Sequence, residues 1–295
     1  MERHELPEEV IPPKKNRSYL AEIWRRIKRS RLAVAGLLII LALLFTALFA
    51  DILAPYPYDK QNLQENFQSP GWQHPFGTDE FGRDIFSRVI YGSRISLQVG
   101  FIAVGISLVA GGMLGALAGY YGGKVDQVIM RTMDILLSIP GILLAISIVA
   151  ALGPGLVNLM IAVGISSIPQ YARIVQASVM AIRGQEFVEA AKAVGSSDLR
   201  IILKHIIPNV LAPLIVQSTL GIATAILTAA GLSFIGLGIQ PPTPEWGAML
   251  SGGRGYIRNY WFMTMFPGLA IMITIFGLNL LGDGLRDALD PRLKN

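Results

Sequence analysis

The chain has 295 residues, a formal net charge of +5 and no cysteine. With 52% hydrophobic residues, 15% charged residues and a mean hydropathy of +0.51, it is too apolar for an ordinary soluble protein. The absence of cysteine excludes a disulfide framework and a thiolate metal site, and dispersed charge with no basic–aromatic platform speaks against a nucleic-acid partner.

Residues 1–31 carry nine Lys/Arg, five of them at Arg25, Arg26, Lys28, Arg29 and Arg31. Pro7, Pro12 and Pro13 suit a solvated tail over 1–16. Ser18, Tyr19, Leu20, Ile23, Trp24 and Ile27 among these bases suit an interfacial amphipathic helix over about 18–31. The apolar run that follows is longer than the roughly 7–15 residues of a signal-peptide core, so it reads as a membrane span. The expected division is 1–31, cytoplasmic tail and interfacial helix, then 32–295, a transmembrane domain.

Six apolar stretches follow, at 32–53, 95–121, 135–152, 156–171, 210–239 and 261–282. A bilayer-spanning helix needs about 20 residues, so the sequence predicts an all-α integral membrane fold with six spans. The fourth is the weakest, because Pro169 lies in its cytoplasmic end; as a kinked helix it would continue to about Met180. Basic residues before the first span and at 183–206 put both termini and that loop inside. The net charge therefore reads as topological.

Gly111, Gly115 and Gly119 recur at four-residue spacing in the second span, with Gly112 beside them. Such a ridge admits a second helix closely, either inside this chain, the favoured reading, or from a partner subunit. The segment from Ala118 to Val125 fails as a phosphate-binding loop, having Ala in place of the first Gly and Val in place of Ser/Thr. Asp51, Arg131, Asp134, Arg173 and Asp283 fall at or near expected span ends, leaving the cores without ionisable groups. That weakens an ion-coupled secondary transporter. Asn158, Gln217, Ser218, Thr219, Thr224, Thr228 and Asn279 are either translocation-path side chains or interhelical hydrogen-bonding groups.

In the loop at about 183–206, apolar side chains recur at Phe187, Ala190, Ala191 and Val194, then at Leu199, Ile202, Leu203 and Ile206. This is the spacing of two one-faced helices. Gly195 between them suits a left-handed helix end, and Ser196, Ser197 and Asp198 can cap the second helix. The pair is either an ordinary surface hairpin or a grip for a cytoplasmic partner. After the fifth span, Pro241, Pro242 and Pro244 stiffen an outer hairpin running to Trp246. Trp246, Tyr256, Tyr260 and Trp261 suit the headgroup belt, and the hairpin also suits a docking platform.

At Glu189-Ala190-Ala191, Gly195 and Pro208 the chain resembles the membrane subunits of ABC importers, with His205 and Ile207 where the general pattern has Ile and Leu. Four further stretches resemble the second permease of dipeptide, oligopeptide and nickel importers. They are 77–96, 119–140, 231–247 and 279–292, so the likeness runs from about residue 18 to the C-terminus. It implies the type I ABC importer permease fold in the cell membrane. The implied partners are a homologous second permease in a heterodimer, two ATP-binding ATPase subunits inside and a solute-binding protein outside. It assigns ATPase coupling to Glu186, Phe187, Glu189, Ala190, Ala191, Val194, Gly195, Ser196, Asp198, His205 and Pro208. No catalytic residue and no cofactor is implied, and His4, His74 and His205 are too scattered for a metal site. Peptide is the implied substrate. A nickel or other small-solute permease is the near alternative; a secondary transporter and a membrane scaffold are more distant ones.

Overall fold

The structure, a computed structural model, describes residues 19–289. Expectations for the 1–16 tail, Ser18 and the 290–292 end lie outside the described residues. The chain folds as α1 (Tyr19–Arg29), α2 (Arg31–Leu48), α3 (Ala50–Leu53), α4 (Ile85–Tyr121), α5 (Gly123–Leu137) and α6 (Gly141–Leu152). Then come α7 (Leu156–Ile182), α8 (Glu186–Ala193), α9 (Asp198–Ile201), α10 (Ile207–Phe234), α11 (Trp246–Gly253) and α12 (Phe262–Leu289).

Four segments are long and apolar enough to cross a membrane: α2, α4, the continuous stretch Asp198–Phe234 and α12. The expected third span is not one helix. It breaks at 138–140 between α5 and α6, which meet at 89°. Pro140 lacks the N–H a continuing helix requires and disfavours helical geometry in the residue before it. The helix at the expected fourth span, α7, does continue through Pro169 and runs 27 residues to Ile182, but it is not among the segments apolar enough to cross by themselves.

The core is the pairing of α4 with α7, the most extensive helix contact in the chain. A Cβ on Gly111 would lie 2.6 Å from the Ile168 carbonyl oxygen, one on Gly115 2.2 Å from that of Ala172, and one on Gly119 2.8 Å from that of Gln176. The glycine ridge is therefore a seam within this chain. Gly112 points away into open space. The closeness lets Ser107 Oγ donate across to the Gly164 carbonyl at 2.8 Å. Dispersion over backbone-to-backbone contact, rather than expulsion of water, holds such a pair in lipid. Around it, α10 packs on α4, α7 and α12, and α2 packs on α12. Ile27 of α1 packs with Ala33 and Ala288, fixing the basic helix to the ends of α2 and α12.

Between α3 and α4, residues 54–84 form an ordered cap. Asp79 accepts from Arg83 Nε at 2.6 Å and from the amides of Phe81 and Arg83. Asp84 caps α4 by accepting from the Ser87 amide at 2.7 Å, and it also holds His74 Nδ1 at 2.8 Å. Arg88 donates to the carbonyls of Tyr58 and Pro242, tying the two outer segments together. Trp246 does not sit in a headgroup belt. It is 1% exposed, lies against Gly92 and donates from Nε1 to the Val89 carbonyl at 3.0 Å. Tyr260 stacks on Phe67, whereas Tyr256 and Trp261 remain exposed. Glu245 caps α11 through the amides of Gly247 and Ala248, and burial pushes its carboxyl above the usual carboxylate range.

The seam makes a paired prediction. Gly115→Ala, which meets a backbone oxygen that cannot turn aside, should cost about 1–3 kcal/mol. Gly112→Ala, facing open space, should cost nothing measurable. Thermal unfolding of the two variants in detergent distinguishes them, and equal midpoints would show that the seam does not set helix separation.

Candidate coupling site and translocation face

The predicted helix pair is α8 and α9 with a tight turn between them. Gly195 has φ +76°. Its amide donates to the Lys192 carbonyl at 2.9 Å, and the Ser196 amide donates to that of Ala191 at 3.1 Å. These two bonds form the Schellman ending that the glycine suggested. The expected side-chain cap is absent, because Ser197 begins α9 without a side-chain bond. Asp198 has another role: its carboxylate accepts from the Tyr120 hydroxyl at 2.7 Å. Lys192 Nζ lies 5.1 Å above the Tyr120 ring, and Arg183 donates to the Gly119 carbonyl at 3.0 Å. The C-terminal end of α4 thus holds the pair through Tyr120 and the end of α7 through Gly119.

The expected apolar faces are divided differently from the sequence reading. Val188, Ala191, Ile201, Ile202 and Ile206 turn inward and are buried. Phe187, Val194, Leu199 and Leu203 turn outward, and Val194 is 80% exposed. Ala190 and the carboxylates of Glu186 and Glu189 are exposed beside them. Adjoining exposed apolar side chains are the kind of surface that interaction sites use. After α9 the helix passes through a π-helical turn, Ile202–Ile206, directly into α10. Pro208 does not end a helix. It sits in the first turn of α10, where a missing N–H costs little. Half-buried His205 lies in the π turn, and its carbonyl accepts from the Asn209 side chain.

The path candidates separate into two groups. Asn158 is committed to the α6–α7 turn, donating to the carbonyls of Leu152 and Gly153. The Ser218 hydroxyl is buried. Thr219 donates to its own helix, and Gln217 and Thr228 are partly buried. Thr224 and Asn279 are exposed within α10 and α12 and remain on an accessible face.

The exposed side of α7 was not anticipated. Gln170 and Arg173 are exposed there at helical spacing, and Arg173 pairs with Asp134 of α5. With α7 running to Ile182, Arg173 lies nine residues from its end rather than at it. The signal in the sequence was Ser166, Gln170 and Arg173 at successive helical turns across a proline that a membrane helix tolerates.

A family model described as binding-protein-dependent transport system inner membrane component matches residues 111–295. A second, the N-terminal TM domain of oligopeptide transport permease C, matches residues 18–70. The dipeptide transport system permease protein DppC of Alkalihalophilus pseudofirmus is 49% identical over 98% of this chain and 96% of its own. The di/tripeptide transport system permease protein DppC of Pseudomonas aeruginosa is 47% identical over 94% of each. The glutathione transport system permease protein GsiD of Escherichia coli is 47% identical over 97% of this chain and 94% of its own. Among solved structures, an inward-facing MetNI methionine ABC transporter chain aligns with a TM-score of 0.57 at 20% identity, covering 69% of this chain and 96% of that one. That likeness bears on fold alone and agrees with the all-helical type I importer permease architecture.

The anchor on α4 is testable without any partner. Tyr120→Phe removes one hydrogen bond to a carboxylate and should cost about 1 kcal/mol locally. Amide hydrogen exchange across 186–206 should quicken several-fold while exchange in the α4–α7 seam stays unchanged. Unaltered exchange in the pair would show that Asp198 does not hold it.

Proposed function

This chain belongs to the family of binding-protein-dependent transport system inner membrane components, and on that premise we propose that it forms half of the channel of an ATP-driven importer of di- and oligopeptides. The observation that carries the reading is the outward apolar face of Phe187, Val194, Leu199 and Leu203 on a helical elbow continuous with α10. A soluble ATPase that grips this face moves α9, the π turn and α10 as one lever. ATP-driven closure of two such subunits would turn the passage outward, and hydrolysis would reset it. No bond is made or broken in this chain.

The remaining parts of the assembly are supported by the family. A homologous second permease completes the passage, and a solute-binding protein docks on the ordered outer cap. The chain lies in the cell membrane with six crossings, the bent α5–α6 pair counting as one, and with both termini inside. A tail and interfacial helix over 1–31 precede the permease domain. The names of the compared relatives specify dipeptide, di/tripeptide and glutathione, all peptides, which supports a peptide cargo over nickel.

Purification of the tagged chain should bring two ATPase subunits and a second permease with it. Leu199→Glu with Leu203→Glu should remove the ATPase and leave membrane insertion and the second permease in place. Retention of the ATPase by that variant would refute the docking face. Orientation is tested separately, since the native chain has no cysteine. Ser69→Cys should react with an impermeant maleimide applied to intact cells, and Ser197→Cys should react only after lysis. Labelling of Ser197→Cys from outside would invert the topology.

A further inference from the structure

Four cations at the junction of α1 and α2 stand exposed without an ion pair or a side-chain hydrogen bond among the described residues: Arg25, Lys28, Arg29 and Arg31. Residues 24–31 contain no acidic side chain. At 3.6 residues per turn, Trp24, Lys28, Arg25 and Arg29 fill one continuous arc of about 140° on α1. Trp24 is 48% exposed, and Lys28 Nζ lies 5.1 Å from its ring centroid. Ile27 turns the other way and packs with Ala33, Leu285 and Ala288. It thus contacts the start of α2 and the end of α12, both long and apolar enough to cross a membrane, so α1 stands where two spans end. The apolar run opens at Leu32, directly after Arg31. Along α2 it exposes a line of apolar side chains, Leu38, Leu41, Phe45 and Leu48. Arg31 heads that line, two helical turns before Leu38. Cations above an exposed apolar stripe complement a phospholipid, whose phosphate stands above its acyl chains.

We propose that this junction is a binding site for anionic phospholipid. Arg25, Lys28, Arg29 and Arg31 meet the phosphates, Trp24 sits at headgroup level, and the acyl chains lie along Leu38 and Leu41 of α2. The guanidinium groups take phosphate oxygens in bidentate fashion, and Lys28 acts as a point charge. A zwitterionic headgroup brings its own cation, which opposes the attraction, whereas an anionic headgroup does not. Each Lys or Arg beside an anionic surface adds to the binding, and the attraction fades over a Debye length of about 10 Å at 0.1 M salt. Because Ile27 ties α1 to the ends of α2 and α12, bound lipid braces those two span ends together. An acidic protein surface would answer the same charge. The exposed indole and the apolar stripe that continues from Arg31 favour lipid over it.

The test uses the full chain in phosphatidylcholine nanodiscs that contain the same minor fraction of either dibrominated phosphatidylglycerol or dibrominated phosphatidylcholine. Bromine quenches tryptophan on contact, and the difference between the wild-type chain and Trp24→Phe isolates Trp24 from the other three tryptophans. At low salt the brominated phosphatidylglycerol should quench Trp24 at least twofold more than the brominated phosphatidylcholine, and salt at about 0.5 M should narrow the difference. Arg25→Gln with Lys28→Gln, Arg29→Gln and Arg31→Gln should abolish it. Arg25→Lys with Arg29→Lys and Arg31→Lys keeps the charge and should retain it. Arg3, Lys14, Lys15 and Arg17 stay in both variants to direct insertion. Equal quenching by the two lipids in the wild-type chain would overturn the proposal, by showing an interfacial helix with no preference among headgroups. Quenching by neither lipid would overturn it by showing that the face is covered by protein or stands in water. A preference that survives in the glutamine variant would place the selecting charge elsewhere and overturn it as well.

Discussion

The closeness of α7 to α4 is the constraint on which the remaining geometry depends. Three glycines on one side of α4 let the α7 backbone approach to where even a methyl group would collide with carbonyl oxygens. In lipid there is no water to expel from between helices, so the separation is set by contact and by interhelical hydrogen bonds such as Ser107 to Gly164. Fixing that separation fixes what lies at the cytoplasmic end. Arg183 reaches Gly119, and Tyr120 and Lys192 meet, because both helix ends are held in register. The same register sets α5 beside α7, bringing Asp126 to Gln176 and Asp134 to Arg173.

The elbow built on this frame combines a stiff arm with two places that yield. From Asp198 to Phe234 the chain is one helical run of 37 residues, about 55 Å. Its π turn carries looser hydrogen bonding, and Pro213 removes one further backbone bond. The Schellman turn at Gly195 fixes the angle between α8 and α9, so force applied to the pair is not lost in a flexible link. Tyr120 joins that pair to α4 by a hydrogen bond worth about as much as a few RT. A contact of that strength holds at rest and can be exchanged under load.

Much of this was legible in the residues. The glycine spacing gave the seam, Gly195 gave the turn, and hydropathy gave the spans that are single apolar helices. Prolines were harder to read. Pro140 does break its span, whereas Pro169 and Pro208 do not, because a bilayer tolerates a missing donor inside a helix and a first turn never needed it. Burial was also misjudged where it depends on tertiary fit. Trp246 looked interfacial and instead fills the space left by Gly92. The helical spacing of Phe187, Leu199 and Leu203 identified an apolar face but not which way it points. Asp198 looked like a cap because its bond to Tyr120 spans 78 residues, beyond any local pattern.

The extent of α7 bears on where charge sits. With an apolar span ending near Tyr171, Arg173 falls just past its end, and the kinked continuation to about Met180 carries it inside the helix. The structure bears out that continuation to Ile182 and pairs Arg173 with Asp134 of α5 on an exposed face. A mutually neutralised pair costs less to hold away from bulk water than either charge alone. Asn279 and Thr224, exposed on α12 and α10, add neutral polar groups that bring no fixed charge, so among these polar positions the charge is confined to a pair that cancels itself.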